Sequence, residues 1–226
     1  GAATLSLVLT PPGLRAPVQP MPRLLDAPGT TLRLLVMSTG RRHCVGIDLA
    51  SGALVRAWAE GEVDHRLRPY DVVAVTVGGH ADSVPDPAEP EALVIAGQPA
   101  LVGHLSGRRA LRLVRPLLHP EHTPLLGFNG AAIPFWQRSP DHPSAALASP
   151  GGPLVATIES GGLWCHFLWD GRPQVLACAD PRLAASMARM ATDYVSVRPG
   201  AFIVVALEPP VEGQCHKVVE AIVPRR

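Results

Sequence analysis

The sequence predicts an all-β protein with one or two short helices, and three observations carry that prediction. Apolar residues make up 47% of the 226 and fall into short runs rich in Val, Ile, Leu and Ala, too brief and too β-branched for a helical reading. The 25 prolines lack the N–H that helix interiors and sheet ladders need, so they mark element ends and loops and favour many short strands. Turn signals such as Ser51-Gly52 and Asp170-Gly171 separate the runs at hairpin spacing. With 17% charged residues the composition is that of a folded chain.

Along the chain, residues 1–30, containing PPGLRAPVQPMPRLLDAPG, read as a proline-rich N-terminal arm. The run 2–10 has no basic residue before it and no cleavage pattern, so no signal peptide is expected there. TLRLLVMS (31–38), CVGIDL (44–49), ALVRAWA (53–59) and DVVAVTV (71–77) are strand candidates. After a proline- and acid-rich loop at 83–91, ALVIAG and PALVGHL continue the pattern, and a GRR turn at 107–109 leads into ALRLVRPLL. Residues 119–153 are loop-rich. LVATIES (154–160), LWCHFLW (163–169) and QVLACA (174–179) then form a meander.

The clearest helix follows. Asp180 is a good N-cap, Pro181 suits the first helical position, and Leu183, Met187 and Met190 form a stripe at i, i+4 and i+7. AFIVVALE (201–208) and HKVVEAIV (216–223) close the chain as two strands. Three strands, one helix and two strands is the order of an OB-fold, a small five-stranded barrel. The N-terminal portion has strands enough for a similar barrel but no comparable helix. The expected organisation is therefore two tandem OB-like β-barrels: the arm at 1–30, a first barrel at 31–125, a loop-rich connection at 126–152 and a second barrel at 153–226.

Read together, LLVMSTGRRHCVGIDLASGALVR, LWCHFLWDGRPQVLACADP and AFIVVALEPPVEGQCHKVVEAIV resemble the dual OB-containing domain, a prokaryotic family with two OB-like barrels in tandem. The resemblance covers roughly residues 31–226 and rests on the order and spacing of the segments. Leu54 stands where the family pattern has tryptophan, and Ala179 where it has threonine. The resemblance implies nucleic-acid binding, in an accessory protein beside DNA-processing or defence systems.

The chemistry of the chain is weighed against this. Net charge is +1, so attraction to nucleic acid must come from a local patch. Lys217 is the one lysine and every other basic residue is arginine, a composition that a GC-rich genome also produces but that suits planar, bidentate phosphate contacts. Four cysteines at 44, 165, 178 and 215 show no CxxC, which points to reduced thiols and a cytoplasmic setting. No apolar run reaches the roughly 20 residues of a membrane span. His43-Cys44, Cys165-His166 and Cys215-His216 adjoin, yet strand neighbours point to opposite faces, so the expectation is core cysteines, surface histidines and no metal. HPEH at 119–122 lacks the HExxH spacing, and no GxSxG, Walker A or GxGxxG motif is present, so neither catalytic residues nor a cofactor are expected.

An OB barrel grips single strands with arginines and stacking aromatics. The residues expected to do so are Arg41, Arg42, Arg56, Trp58, Arg66, Arg68, Arg108 and Arg109 on the first barrel and Trp164 and Lys217 on the second. On 163–169, Cys165, Phe167 and Trp169 share one face and Trp164, His166 and Leu168 the other, and one face must be core. Trp136 reads as a plug between barrels. Aromatics are only 4% of the chain, which limits stacking. The function expected is single-stranded DNA or RNA binding without catalysis. The alternative is a protein-interaction adaptor using the proline-rich arm; nothing in the sequence identifies a small-molecule partner.

Overall fold

The computed structural model describes residues 27–64, 66–78, 86 and 88–225. The arm expected over 1–30 lies outside the described residues apart from its last four. The chain is mostly β, with two short α-helices, a closed five-stranded barrel and a second sheet.

The barrel uses β1 (Thr31–Thr39), β2 (His43–Asp48), β3 (Leu54–Ala59), β4 (Asp71–Val77) and β5 (Ala92–His104), in the order β1-β2-β3-β5-β4, with β4 returning to β1. Its one parallel pair is β3 with β5. The two runs expected at 92–97 and 99–105 are one continuous strand that curves round the barrel, with register shifts against β4 and Gly97 at φ +71°. The barrel closes with no helix among the described residues between β3 and β4. A helix comes after β5 instead: α1 (Gly107–Val114) replaces the expected turn at 107–109. The reason is spacing, because Ala110 and Val114 lie at i and i+4 and both are fully buried.

The segment expected as loop-rich carries two short strands. These are β6 (Ala132–Pro134), paired with the last strand of the chain, and β7 (Ala145–Ala148). Leu125 and Leu126 in the same segment are core residues. The second sheet continues with β8 (Leu154–Glu159), β9 (Gly162–Trp169), β10 (Arg172–Cys178), α2 (Pro181–Met190), β11 (Tyr194–Val197), β12 (Phe202–Leu207) and β13 (Gln214–Val223). Its order is β11-β8-β9-β10-β13-β12-β7. Within it, β8-β9-β10-β13-β12 repeats the order of the barrel, again with one parallel pair, β10 with β13. Hydrogen bonds do not close this sheet; β7 pairs with β12 and runs on through Ser149–Pro153 into β8.

Its hairpins are set by turn chemistry. Ser160-Gly161, Asp170-Gly171 and Glu212-Gly213 each place two consecutive residues at positive φ, as a type I′ turn requires. That geometry sends Cys165, Phe167 and Trp169 into the core and leaves Leu168 exposed.

A third core lies between the two sheets. Leu34 and Val36 of β1 point into the barrel, while Leu35 and Met37 point out of it to meet Leu147, Phe202 and Val204 of the second sheet. Strands β2 and β12 are buried at every position for the same reason, each having a core on both faces. Ala110 and Val114 of α1 pack into this shared core.

Asp180 fixes α2 to the second sheet. Its carboxylate accepts from the N–H groups of Arg182 and Leu183 and from Ile222 N–H of β13 at 2.9 Å, and it is almost fully buried. Asp180→Ala removes a cap and leaves the Ile222 N–H without an acceptor, so urea melts are expected to show a loss of about 2 to 4 kcal/mol with an unchanged m-value.

Candidate functional site

Arg41, Arg42 and His43 lie where the barrel meets the second sheet. Strand β1 ends at Thr39, Gly40 to Arg42 form the turn, and His43 begins β2. Gly40 is favoured there, since a Cβ would collide with the His43 ring. His43 Nε2 donates to Glu220 Oε1 at 2.6 Å and Ser38 Oγ donates to Glu220 Oε2 at 2.8 Å. Arg56 Nη2 donates to Glu220 Oε1 at 3.5 Å and Nη1 to the Leu207 carbonyl at 2.8 Å. Three side chains of the barrel thus converge on one carboxylate of β13. Burial alone would push the Glu220 carboxyl up; the charge and hydrogen bond of His43, then Arg56 and Ser38, outweigh it and bring it down to about 2.

Trp58 completes the arrangement. Its ring centroid lies 4.6 Å from the Arg56 guanidinium carbon and 4.5 Å from the His43 ring, and its Nε1 donates to Glu89 at 3.1 Å. In front of the network is a cleft of about 560 Å³, lined among others by Arg41, Arg42, His43, Trp58, Glu62 and Glu208. That is the size of a ligand pocket. Its charges are mixed, however, because Arg41 Nε pairs with Glu62 at 2.8 Å and Arg42 donates to the Glu60 carbonyl at 3.1 Å.

The other expected residues are dispersed. Arg66 is exposed and held by Asp64. Arg68 is exposed, its backbone N–H bonded to Asp71. Trp164 is half-buried on β9. Lys217 is buried, donating to the Phe128 carbonyl at 2.6 Å over that residue's ring, and burial lowers its ammonium to about 8. Arg108 and Arg109 stand exposed on α1, and the helix adds Arg112 and, just past its end, Arg115, which a turn reading had no reason to group with them. Arginines at four-residue spacing were the signal available in the sequence.

Two expectations are corrected. Trp136 does not plug the junction; it is 66% exposed, edge-on to Phe135 at 5.3 Å, because the turn Phe135–Gln137 sits on the β12–β13 hairpin. His43 is not a surface histidine, since the second sheet covers it; Cys44, Cys165 and Cys215 are buried as expected. Of the HPEH segment, His119 bonds the Pro124 carbonyl and exposed His122 meets Asp170. Among the described residues no three His, Cys, Asp or Glu side chains gather as a metal site, and no helix is long and apolar enough to cross a membrane.

No protein-family model and no curated protein matches the chain. Among solved structures it is similar to the tetrameric p202 HIN2 (9% identity, TM-score 0.31, covering 87% of this chain and 95% of that one). It is also similar to the p204 HINb domain (11% identity, TM-score 0.33, covering 85% and 92%). Likeness at that level assigns no ligand.

Two measurements check the junction. Arg56→Met leaves Glu220 buried with fewer partners and is expected to lose about 3 to 5 kcal/mol of stability, whereas exposed Arg41→Ala stays within about 1 kcal/mol. Because the Glu220 carboxyl is depressed in the folded state, its contribution is complete above the unfolded value near 4.5 and is lost as pH falls towards 2. Glu220→Gln is therefore expected to flatten that part of the acid limb in thermal melts between pH 5 and 2.

Proposed function

We propose that the protein is a non-catalytic nucleic-acid-binding module that engages the phosphates of a single strand through α1. The observation that carries this reading is the set Arg108, Arg109, Arg112 and Arg115: all exposed, and without a carboxylate partner among the described residues. Arg108, Arg112 and Arg115 follow the i, i+4, i+7 spacing of one helix face, opposite buried Ala110 and Val114. Like charges four apart destabilise a helix, and cations in its first turn oppose the macrodipole. The first turn of α1 has no acidic residue to offset Arg108 and Arg109. A phosphate backbone supplies the missing anions, and guanidinium groups meet phosphate oxygens bidentately.

The same proposal takes the chain as two OB-like units, 31–125 and 153–226 joined by 126–152, in the manner of the dual OB-containing domain, working as a cytoplasmic accessory to prokaryotic DNA processing or defence. The repeated strand order supports the division. Arg41, Arg42, Arg68 and Trp58 serve as secondary contacts, while Arg56 and Lys217 are assigned to holding the fold. An adaptor role is the second reading, favoured by Trp136, Phe135 and Val211, which leave apolar surface exposed around the β12–β13 hairpin.

Fluorescence polarisation with labelled single-stranded DNA and RNA across a salt series is the test. Binding is expected to weaken with salt, and replacing Arg108, Arg109, Arg112 and Arg115 together by glutamine to lower the log–log slope by about 3, at about 0.7 per phosphate contact. Stability of that variant should hold or rise slightly, since the like-charge repulsion is removed. No binding at low salt would overturn this reading in favour of the adaptor.

A further inference from the structure

The strand order β1-β2-β3-β5-β4 of the barrel recurs as β8-β9-β10-β13-β12 in the second sheet, so each face of one unit has a counterpart in the other. Inside the molecule one such pair of faces is already joined. Leu35 and Ile47, opposite each other on the outer face of β1 and β2, pack against Leu147 of β7, Phe202 and Val204 of β12 and Ala221 of β13. Two counterpart faces are left without a partner: the outer face of β8, β9 and β10, which corresponds to that of β1, β2 and β3, and the outer face of β4 and β5, which corresponds to that of β12 and β13.

Both of these faces carry exposed apolar side chains. On β9 and β10, Cys165, Phe167 and Leu176 point into the core, so Trp164, Leu168 and Val175 point away from it. Leu168 and Val175 are exposed, and so is Tyr194 of the flanking β11, opposite Thr157 of β8. On β4, Val73 and Val75 point into the barrel, so Ala74 and Thr76 point out of it, with exposed Ala100 and Ala96 as their partners on β5. Beyond Ile95, β5 pairs with β4 alone, and Leu101 and Val102 there are more than half exposed. The next outward pair along β1 and β4, Leu35 and Val72, already belongs to the core shared by the two sheets, so this face continues an existing interface. Charge is complementary as well. Arg33 stands exposed beside Ala74 with no carboxylate partner among the described residues. Glu159 stands exposed at the end of β8, where it meets the Thr157 hydroxyl at 2.6 Å and the His166 imidazole at 3.3 Å.

We propose that a second copy of the chain covers these faces: the β8–β9–β10 face of one molecule packs on the β4–β5 face of the next, repeating between molecules the contact that joins the two sheets within one. Nothing in this contact uses α1 or an anionic ligand, so it stands or falls apart from nucleic-acid binding. Burial of the exposed apolar side chains supplies the attraction, and the opposite charges of Arg33 and Glu159 favour unlike faces over like ones. Because the two surfaces differ, the contact is head-to-tail, and each added molecule leaves the same two faces open at the ends of the assembly.

The test is sedimentation velocity of the full chain, without nucleic acid, from about 1 to about 500 μM, a range that covers weak self-association. Two double variants at exposed positions accompany wild type: Leu168→Glu with Val175→Glu on one face, and Ala96→Glu with Ala100→Glu on the other. Wild type is expected to reach a weight-average mass at least about twice that of the monomer, still rising at the highest concentration. Each variant alone is expected to stay monomeric. An equimolar mixture of the two is expected to form a one-to-one pair and nothing larger, because each supplies the face that the other lacks; an unfolded variant could not complement in this way. Wild type that stays monomeric throughout overturns the proposal whatever the variants do. Self-association of either variant to the wild-type extent also overturns it, by placing the contact elsewhere, and so does a wild-type mass that levels off at a dimer, which would mean that two like faces meet.

Discussion

The Glu220 carboxylate is the interaction on which the rest of the molecule depends. It belongs to β13 of the second sheet, yet the groups that stabilise its charge, Ser38, His43 and Arg56, all come from the barrel. A buried carboxylate is unfavourable by itself, and removing any one partner leaves charge or hydrogen-bonding capacity unmatched in a dry site. The two sheets are therefore held in one relative position, because only that position brings the three partners together. Arg56 reinforces the constraint through the Leu207 carbonyl, and Glu91 does so at a second point by accepting from the N–H and hydroxyl of Ser144, just before β7.

Around this polar tie the packing is apolar and continuous. Leu35, Met37 and Ile47 of the barrel and Phe202, Val204 and Val223 of the second sheet form one core, which explains why β2 and β12 are buried on both faces. Polar specificity and apolar burial have different roles here: the shared core supplies nondirectional attraction, and the Glu220 cluster selects the register in which the sheets meet. The cleft beside Trp58 is lined from both sides of this contact, by the β1–β2 turn of the barrel and by Glu208 and Pro209 just past β12.

The proposed nucleic-acid surface lies on α1 and not on the turn that carries Arg41 and Arg42. Arg41 is balanced by Glu62, and Arg56 is part of the fold, whereas Arg108, Arg109, Arg112 and Arg115 have no carboxylate partner among the described residues. Uncompensated like charge on an exposed helix is the kind of local inconsistency that folds tolerate where a ligand supplies the counter-charge.

Much of the architecture was legible in the sequence, because it rests on local chemistry. The β-branched runs located the strands, Asp180-Pro181 started α2, and positive-φ pairs such as Asp170-Gly171 set the hairpins. What could not be read locally was whatever depends on a distant partner. Nothing within Arg-Ala-Trp indicates that Arg56 is buried against Leu207 and Glu220, 151 and 164 residues away. Likewise, Gly107 to Val114 is helical because Ala110 and Val114 meet a core assembled from both sheets, and the exposure of Trp136 follows from where the β12–β13 hairpin stops. Sequence alone determined the strands, turns and capped helix through propensity and φ/ψ limits. Only the tertiary structure decided which charges are internal ties and which remain available, because burial and pairing are properties of residues brought together from across the chain.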